Sequence, residues 1–200
     1  MLKKKVLVIV AHPDDETLWV GGTLIRNKKR WDTTIVCLTR KSDKDRYLKF
    51  KKVIKVLGVK GFIYDLDDEH LNKPLNQQQF LKTISKHTKN KTFDILFTHG
   101  LNGEYGHPRH KEIYKAVVIA IKKNLIKSKQ VFFFSYHKIK NRHQGYAIYN
   151  SSADILIKLN SNELLIKREL AIDVYGYDRG GIGFEENSAG LIEAFDKFKE

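Results

Sequence analysis

The amino-acid sequence predicts an α/β protein, an open, mostly parallel, Rossmann-like sheet with helices on both faces. Short apolar runs rich in β-branched residues recur along the chain, and they are continuous rather than alternating, as strands buried on both faces require. Segments with helical apolar spacing lie between them, which implies βαβ units joined by right-handed crossovers. The chain has 200 residues, 42% of them hydrophobic and 30% charged, which suits one compact domain over residues 1–200 with a substantial core.

Taken in order, the strand candidates are residues 6–11, 34–38, 61–64, 95–98, 131–136 and 153–159. The first helix candidate, 17–27, carries Leu18, Leu24 and Ile25, and its Gly21-Gly22 pair suits a close approach to the sheet. Residues 45–57 place Tyr47, Phe50, Val53, Ile54 and Leu57 on one stripe with lysines opposite, and Gly58 ends the helix. Residues 77–87 form a shorter helix. Residues 108–126 form a longer one through Ile113, Val117, Ala120, Ile121 and Leu125. Near the carboxyl end, 161–175 reads as a helix with Ser161 as N-cap, followed by a flexible loop at 176–187 that contains Gly180, Gly181 and Gly183. No internal repeat is visible.

Composition removes several classes. The single cysteine, Cys37, excludes an intrachain disulfide framework and a multi-cysteine zinc ribbon. Lys3-Lys4-Lys5 precede an apolar run, but the run stops at His12-Pro13-Asp14 with no small-residue cleavage site. No stretch is long enough to span a bilayer, and the expected location is the cytoplasm. The 37 Lys+Arg against 23 Asp+Glu give a formal charge of +14. Lys49, Lys51, Lys52, Lys55, Lys122, Lys123 and Lys127 fall on outer helical faces without interleaved aromatics, so they read as solvated faces and not as a specific nucleic-acid site. Such a field would still steer an anionic substrate. A homo-oligomer stays open at this level.

Two motifs carry the chemistry. Ala11-His12-Pro13-Asp14-Asp15-Glu16 follows the first strand, and Gly106-His107-Pro108-Arg109-His110 follows the strand at 95–98. Ligands of open α/β sheets bind outside the carboxyl ends of the strands, so both loops can line one crevice. Alone, a His-Pro-Asp turn is a common helix start with Pro at the first helical position, and a His-x-x-His pair is more often surface or core than metal site. Together they suit a catalytic zinc, which takes three protein ligands and leaves a place for water. His12, Asp15 and His110 can be those ligands. Asp14 can take the proton from the water, and His107, one turn before His110, can face the oxyanion. Ferrous iron fits the same donor types. His99, at a strand end, is a candidate pocket residue. His70 and Asp67-Asp68-Glu69 read as a solvated turn, and His87, His137 and His143 show no partner spacing.

On these residues the chain resembles the PIG-L/LmbE-like zinc-dependent N-deacetylases, whose members carry Ala-His-Pro-Asp-Asp-Glu after strand one and a later His-Pro-Asp-His. The resemblance covers most of the chain. It implies a Rossmann-like fold, His12, Asp15 and His110 as zinc ligands, Asp14 as general base, and His107 as oxyanion stabiliser or proton donor. It implies as substrate an N-acetylglucosamine-like sugar, a sugar nucleotide or a glycan. By the same resemblance Arg46, eleven residues before Leu57-Gly58-Val59, contacts substrate. Glu16, at the end of the first motif, is a further candidate either to contact a sugar hydroxyl or to support the site.

Two departures stand out. The family's late Tyr-Ser-Gln is Tyr175-Gly176-Tyr177 here, and Arg109 replaces an Asp expected to orient His107. A guanidinium there opposes protonation of His107, so Arg109 is expected to point away, with Glu104 or another acid taking its place. The alternatives that remain are a sugar-binding or regulatory protein without turnover, a nucleotide-binding Rossmann protein (disfavoured by the missing glycine fingerprint) and a nucleic-acid module supported by charge alone.

Overall fold

The computed structural model describes residues 2–138, 147–177 and 189–199. His143 and residues 178–187 of the expected glycine-rich loop lie outside the described residues. In chain order the elements are β1 (Lys4–Val10), α1 (Asp15–Asn27), β2 (Trp31–Cys37), α2 (Lys44–Leu57), β3 (Lys60–Ile63), α3 (Gln77–Thr88), β4 (Thr92–Thr98), α4 (Pro108–Lys122) and β5 (Lys127–Phe134). Then follow β6 (Tyr136–Lys138), β7 (Ala147–Tyr149), β8 (Ile155–Lys158), α5 (Ser161–Glu169), a π-helical turn at Leu170–Val174, and β9 (Ile192–Lys197).

Seven strands form one sheet in the order β3-β2-β1-β4-β5-β9-β8. The first five are parallel, while β9 runs antiparallel to both β5 and β8. The expected mostly parallel sheet is therefore present, with an antiparallel extension at one edge. β1 is buried on both faces. Val6, Val8 and Val10 pack with residues of α1, α2 and the π-helical turn, whereas Leu7, Ile9 and Ala11 pack with α3 and α4. Each fully buried aliphatic side chain contributes about 1.5–3 kcal/mol, so this strand anchors the loop that follows it.

Several boundaries differ from expectation for identifiable reasons. The helix expected over 108–126 stops at Lys122, because Asn124 takes a left-handed φ of 55° and turns the chain into β5. The helix expected from 161 to 175 is capped by Asn160, not Ser161. Asn160 Oδ1 accepts from the Glu163 N–H at 2.9 Å, and Glu163 Oε2 accepts from the Asn160 N–H at 2.8 Å. It then widens into the π-helical turn. The strand expected over 153–159 shortens to β8. The run at 131–136 extends back to Lys127 and breaks before the β6–β7 ribbon. β9 has no counterpart among the expected strands. Its Glu193 is buried, and accepts from the Gly22 and Thr23 N–H groups and from Lys167 Nζ, all at 2.8 Å. Gly22 does serve close approach, since a Cβ there would sit 2.3 Å from Leu159 Cδ1.

Candidate metal centre and active site

The strand order reverses direction at β1, between β1 and β4, and both motifs lie at the carboxyl ends of these two strands. The structure brings His12, Asp15 and His110 together. His12 Nδ1 lies 3.1 Å from His110 Nε2 and 3.3 Å from Asp15 Oδ2, and His110 Nε2 lies 3.5 Å from Asp15 Oδ1. Ligand atoms around a tetrahedral ion at about 2.0–2.1 Å stand roughly 3.3–3.4 Å apart, so the spacing fits a metal.

Tautomers strengthen the fit. His12 Nε2 faces Asp68 Oδ1 at 2.9 Å, and His110 Nδ1 faces Glu104 Oε2 at 2.5 Å. A carboxylate only accepts, so each outer nitrogen carries the hydrogen and each inner nitrogen presents a lone pair. Two lone pairs aimed at each other beside a carboxylate repel unless a cation lies between them. Burial opposes charge on His12, yet Asp15 and Asp68 hold its pKa at about 10, so in metal-free protein a proton on His12 Nδ1 fills the place between the two inner nitrogens, and a metal ion would displace it to expose the lone pair. Asp15 is kept ionised against its burial by His110, His99 and His12, and Trp19 Nε1 donates to its Oδ1 at 2.8 Å.

His99 and His107 also lie within ligand range of this cluster. His99 has no lone pair to offer, because Nε2 accepts the Ala11 N–H at 2.9 Å and Nδ1 faces Glu104 Oε2 at 2.9 Å. It supports Glu104 and stacks on His110 with centroids 3.9 Å apart. His107 is the N-cap of α4, and its Nδ1 accepts from the Arg109 N–H at 3.2 Å. The hydrogen of its neutral ring is therefore on Nε2. Burial, with His110 and His12 nearby, lowers its pKa to about 3, so the ring is neutral at physiological pH.

Asp14 occupies a strained backbone position, φ 135°, at the N-cap of α1. Its Oδ2 accepts from Arg46 Nη1 at 3.0 Å and from the Tyr177 hydroxyl at 2.6 Å. Burial and Asp15 raise its pKa to about 6, against the opposing pull of His12, Arg46 and Tyr177. Burial and the Asp14 carboxylate hold the Tyr177 phenol protonated. The pocket here has a volume of about 300 Å³ and is lined by Asp14, Asp15, Arg40, Arg46, Tyr105 and His107 among others.

Three expectations need correction. Glu16, expected either at a sugar hydroxyl or as a support of the site, has no exposed surface, which leaves the second role. Its carboxylate accepts from Thr17 Oγ1 (2.7 Å), the Tyr175 hydroxyl (2.8 Å) and the Asp14 N–H (3.1 Å), so it supports the strained Asp14 backbone from below. The acidic turn is not wholly solvated. Asp67 and His70 pair at the surface, but Asp68 turns inward to His12 and is bound by Arg40 Nε at 2.7 Å. Glu104 does not stand in beside His107, since it serves His110 and His99. Arg109 does turn away to pair with Glu112, and it is buried with Nε and Nη2 unpartnered among the described residues. Among the described residues no carboxylate is hydrogen-bonded to His107. A strand-end histidine followed five residues later by an acid was the available sequence signal for Glu104, whereas nothing local marks Asp68 or Tyr177.

Fold and site together define an open α/β protein with a histidine–carboxylate cluster that could hold a cation at the switch point of its sheet. The profile of the PIG-L family, described as GlcNAc-PI de-N-acetylase, matches residues 7–121, and the chain belongs to that family. It is 30% identical over 129 residues to an uncharacterized protein, L374, of Acanthamoeba polyphaga mimivirus, covering 56% of each chain. It is 26% identical over 141 residues to the 1D-myo-inositol 2-acetamido-2-deoxy-alpha-D-glucopyranoside deacetylase of Corynebacterium diphtheriae, covering 53% of this chain and 48% of that one. The chain thus spans about half the length of the curated relatives it matches. The N,N'-diacetylchitobiose deacetylase of Pyrococcus horikoshii shares the fold at a TM-score of 0.66 and 16% identity, over 98% of this chain and 84% of that one. So does the 4-carboxy-2-hydroxymuconate hydratase of Pseudomonas putida KT2440, at 0.67 and 14%, over 98% and 97%. The fold alone therefore does not select the reaction.

Proposed function

We propose that this chain is a metal-dependent N-deacetylase that hydrolyses the acetamide of an N-acetylglucosamine-like sugar or glycoconjugate to the free amine and acetate. The observation that carries the reading is the convergence of the His12 and His110 lone pairs and the Asp15 carboxylate, with Asp14 on the adjoining wall of the pocket. Family membership and the deacetylase of Corynebacterium diphtheriae among the relatives support the same reaction class.

His12, Asp15 and His110 would hold the ion. Zinc is preferred on donor type, and ferrous iron is the alternative. A divalent ion there supplies Lewis-acid polarisation of the acetyl carbonyl and acidification of a water. Asp68 and Glu104 fix the two imidazoles so that their lone pairs face inward. Asp14, with a pKa raised to about 6, is poised near neutrality to accept the proton of the attacking water and deliver it to the departing amine. His107 donates its Nε2–H as a neutral imidazole to the oxyanion, and its depressed pKa speaks against a role as cationic proton donor. Arg46 lines the pocket and steadies Asp14, and it stands where a sugar hydroxyl would meet it. Elemental analysis of the purified protein, with an acetate-release screen over N-acetylated sugars, sugar nucleotides and chitooligosaccharides, tests the reading. Metal-dependent acetate release is the expected result. Stoichiometric sugar binding without release would point to the non-catalytic alternative.

A further inference from the structure

We propose that Tyr177 is a positioning residue that sets the Asp14 carboxylate for proton transfer. This rests on the deacetylase reading for its kinetic consequence but not for the contact itself. The Tyr177 hydroxyl donates to Asp14 Oδ2 at 2.6 Å, and Arg46 Nη1 donates to the same oxygen at 3.0 Å. Two donors on one oxygen stop rotation of the carboxylate about its Cβ–Cγ bond and leave Oδ1 as the oxygen presented to a water. The restraint matters because Asp14 has a strained backbone, φ 135°, which alone would not define its side chain.

The same strap of chain holds the floor beneath. After the π-helical turn at Leu170–Val174, Tyr175 reaches Glu16 Oε1 at 2.8 Å, and Glu16 Oε2 accepts the Asp14 N–H at 3.1 Å. Gly176, with φ 87°, reverses the chain so that Tyr177 comes over the side chain while Tyr175 stays under the backbone. Asp14 is thus fixed at main chain and side chain by two tyrosines more than 150 residues away. Tyr177 also lines the pocket, so a substrate contact is the competing role.

Tyr177→Phe deletes the hydroxyl and keeps the ring. It is expected to lower kcat by about 10- to 100-fold, the range for losing a hydrogen bond to a charged group, with KM within twofold of the parent and metal content unchanged. Rescue is not expected from Arg46 alone. A rise in KM at unchanged kcat would overturn the proposal in favour of a substrate contact.

A stability cycle reads the contact without activity. In metal-free protein Tyr177→Phe is expected to lower Tm by about 2–6 °C, and this shift should shrink by more than half in an Asp14→Gly background, which removes the carboxylate without adding strain. Equal shifts in both backgrounds would overturn the clamp. Failure of the unmodified protein to release acetate from any substrate would overturn the deacetylase reading, while the stability cycle would still decide the role of Tyr177.

Discussion

His12-Pro13 and His107-Pro108 are the same dipeptide, each placed where a strand of the parallel sheet gives way to a helix, yet their imidazoles have opposite electrostatics. His12 lies between Asp15 and Asp68, which hold its pKa at about 10 in spite of burial. His107 accepts a backbone N–H from its own helix, is half-buried beside His110 and His12, and has its pKa lowered to about 3. The dipeptide determines where the chain turns. The carboxylates that arrive from elsewhere determine what the ring can do. One histidine becomes a position that attracts a cation, and the other a neutral donor next to it.

The most severe test of this division is at Asp14, which lines the same pocket as the two rings. Asp14→Asn is expected to retain the metal while turnover falls about 10²–10⁴-fold, measured as acetate release per metal-loaded protein. His107→Ala should lower kcat by about 10²–10³-fold with metal content unchanged. Loss of metal from that variant would place His107 among the ligands and erase the contrast with His12.

A smaller effect is expected where the carboxylates act through the ligands. Glu104→Gln and Asp68→Asn should each weaken metal affinity by about 10- to 100-fold in chelator competition, with Glu104 the larger because it serves both His110 and His99. Unaltered affinity in both would show that the imidazoles need no orientation.

The pH dependence of stability in metal-free protein sharpens the contrast with opposite signs. The folded-state pKa of His12 is raised from 6.5 to about 10, so its contribution is complete below pH 6.5 and disappears as pH rises toward 10. That of His107 is lowered from 6.5 to about 3, so its contribution is present above pH 6.5 and disappears as pH falls toward 3. His12→Gln should flatten the alkaline limb and His107→Gln the acid limb in denaturant titrations. The smallest effect is expected one position beyond the second motif. Arg109→Met removes a buried guanidinium whose Nε and Nη2 have no partner among the described residues, and should be neutral or stabilise by about 1 kcal/mol in the same titrations.

Legibility in the sequence followed the range of the interactions. His12, Asp14 and Asp15 fall within four residues, and His107 and His110 within one helical turn, so local spacing was enough to suggest one chemical unit. Asp68 looked like a loop acid because its partner lies 56 residues away, and Tyr177 like a departure from family pattern because its partner lies 163 away. Of the two roles open to Glu16, contact with a sugar hydroxyl fails for the opposite reason. Its neighbours in sequence are at the site, but the first turn of α1 directs its carboxylate away from the pocket.

The sequence by itself determined the alternation of strand and helix, the central buried strand, and the two loops that carry histidine and aspartate, because apolar periodicity and short motifs are encoded over a few residues. Only the tertiary structure decided the antiparallel insertion of β9, the tautomer and charge of each imidazole, and the orientation of Asp14. Those depend on which carboxylates and hydroxyls are packed against a group in a medium of low dielectric, and that neighbourhood is assembled by the sheet from residues far apart in the chain.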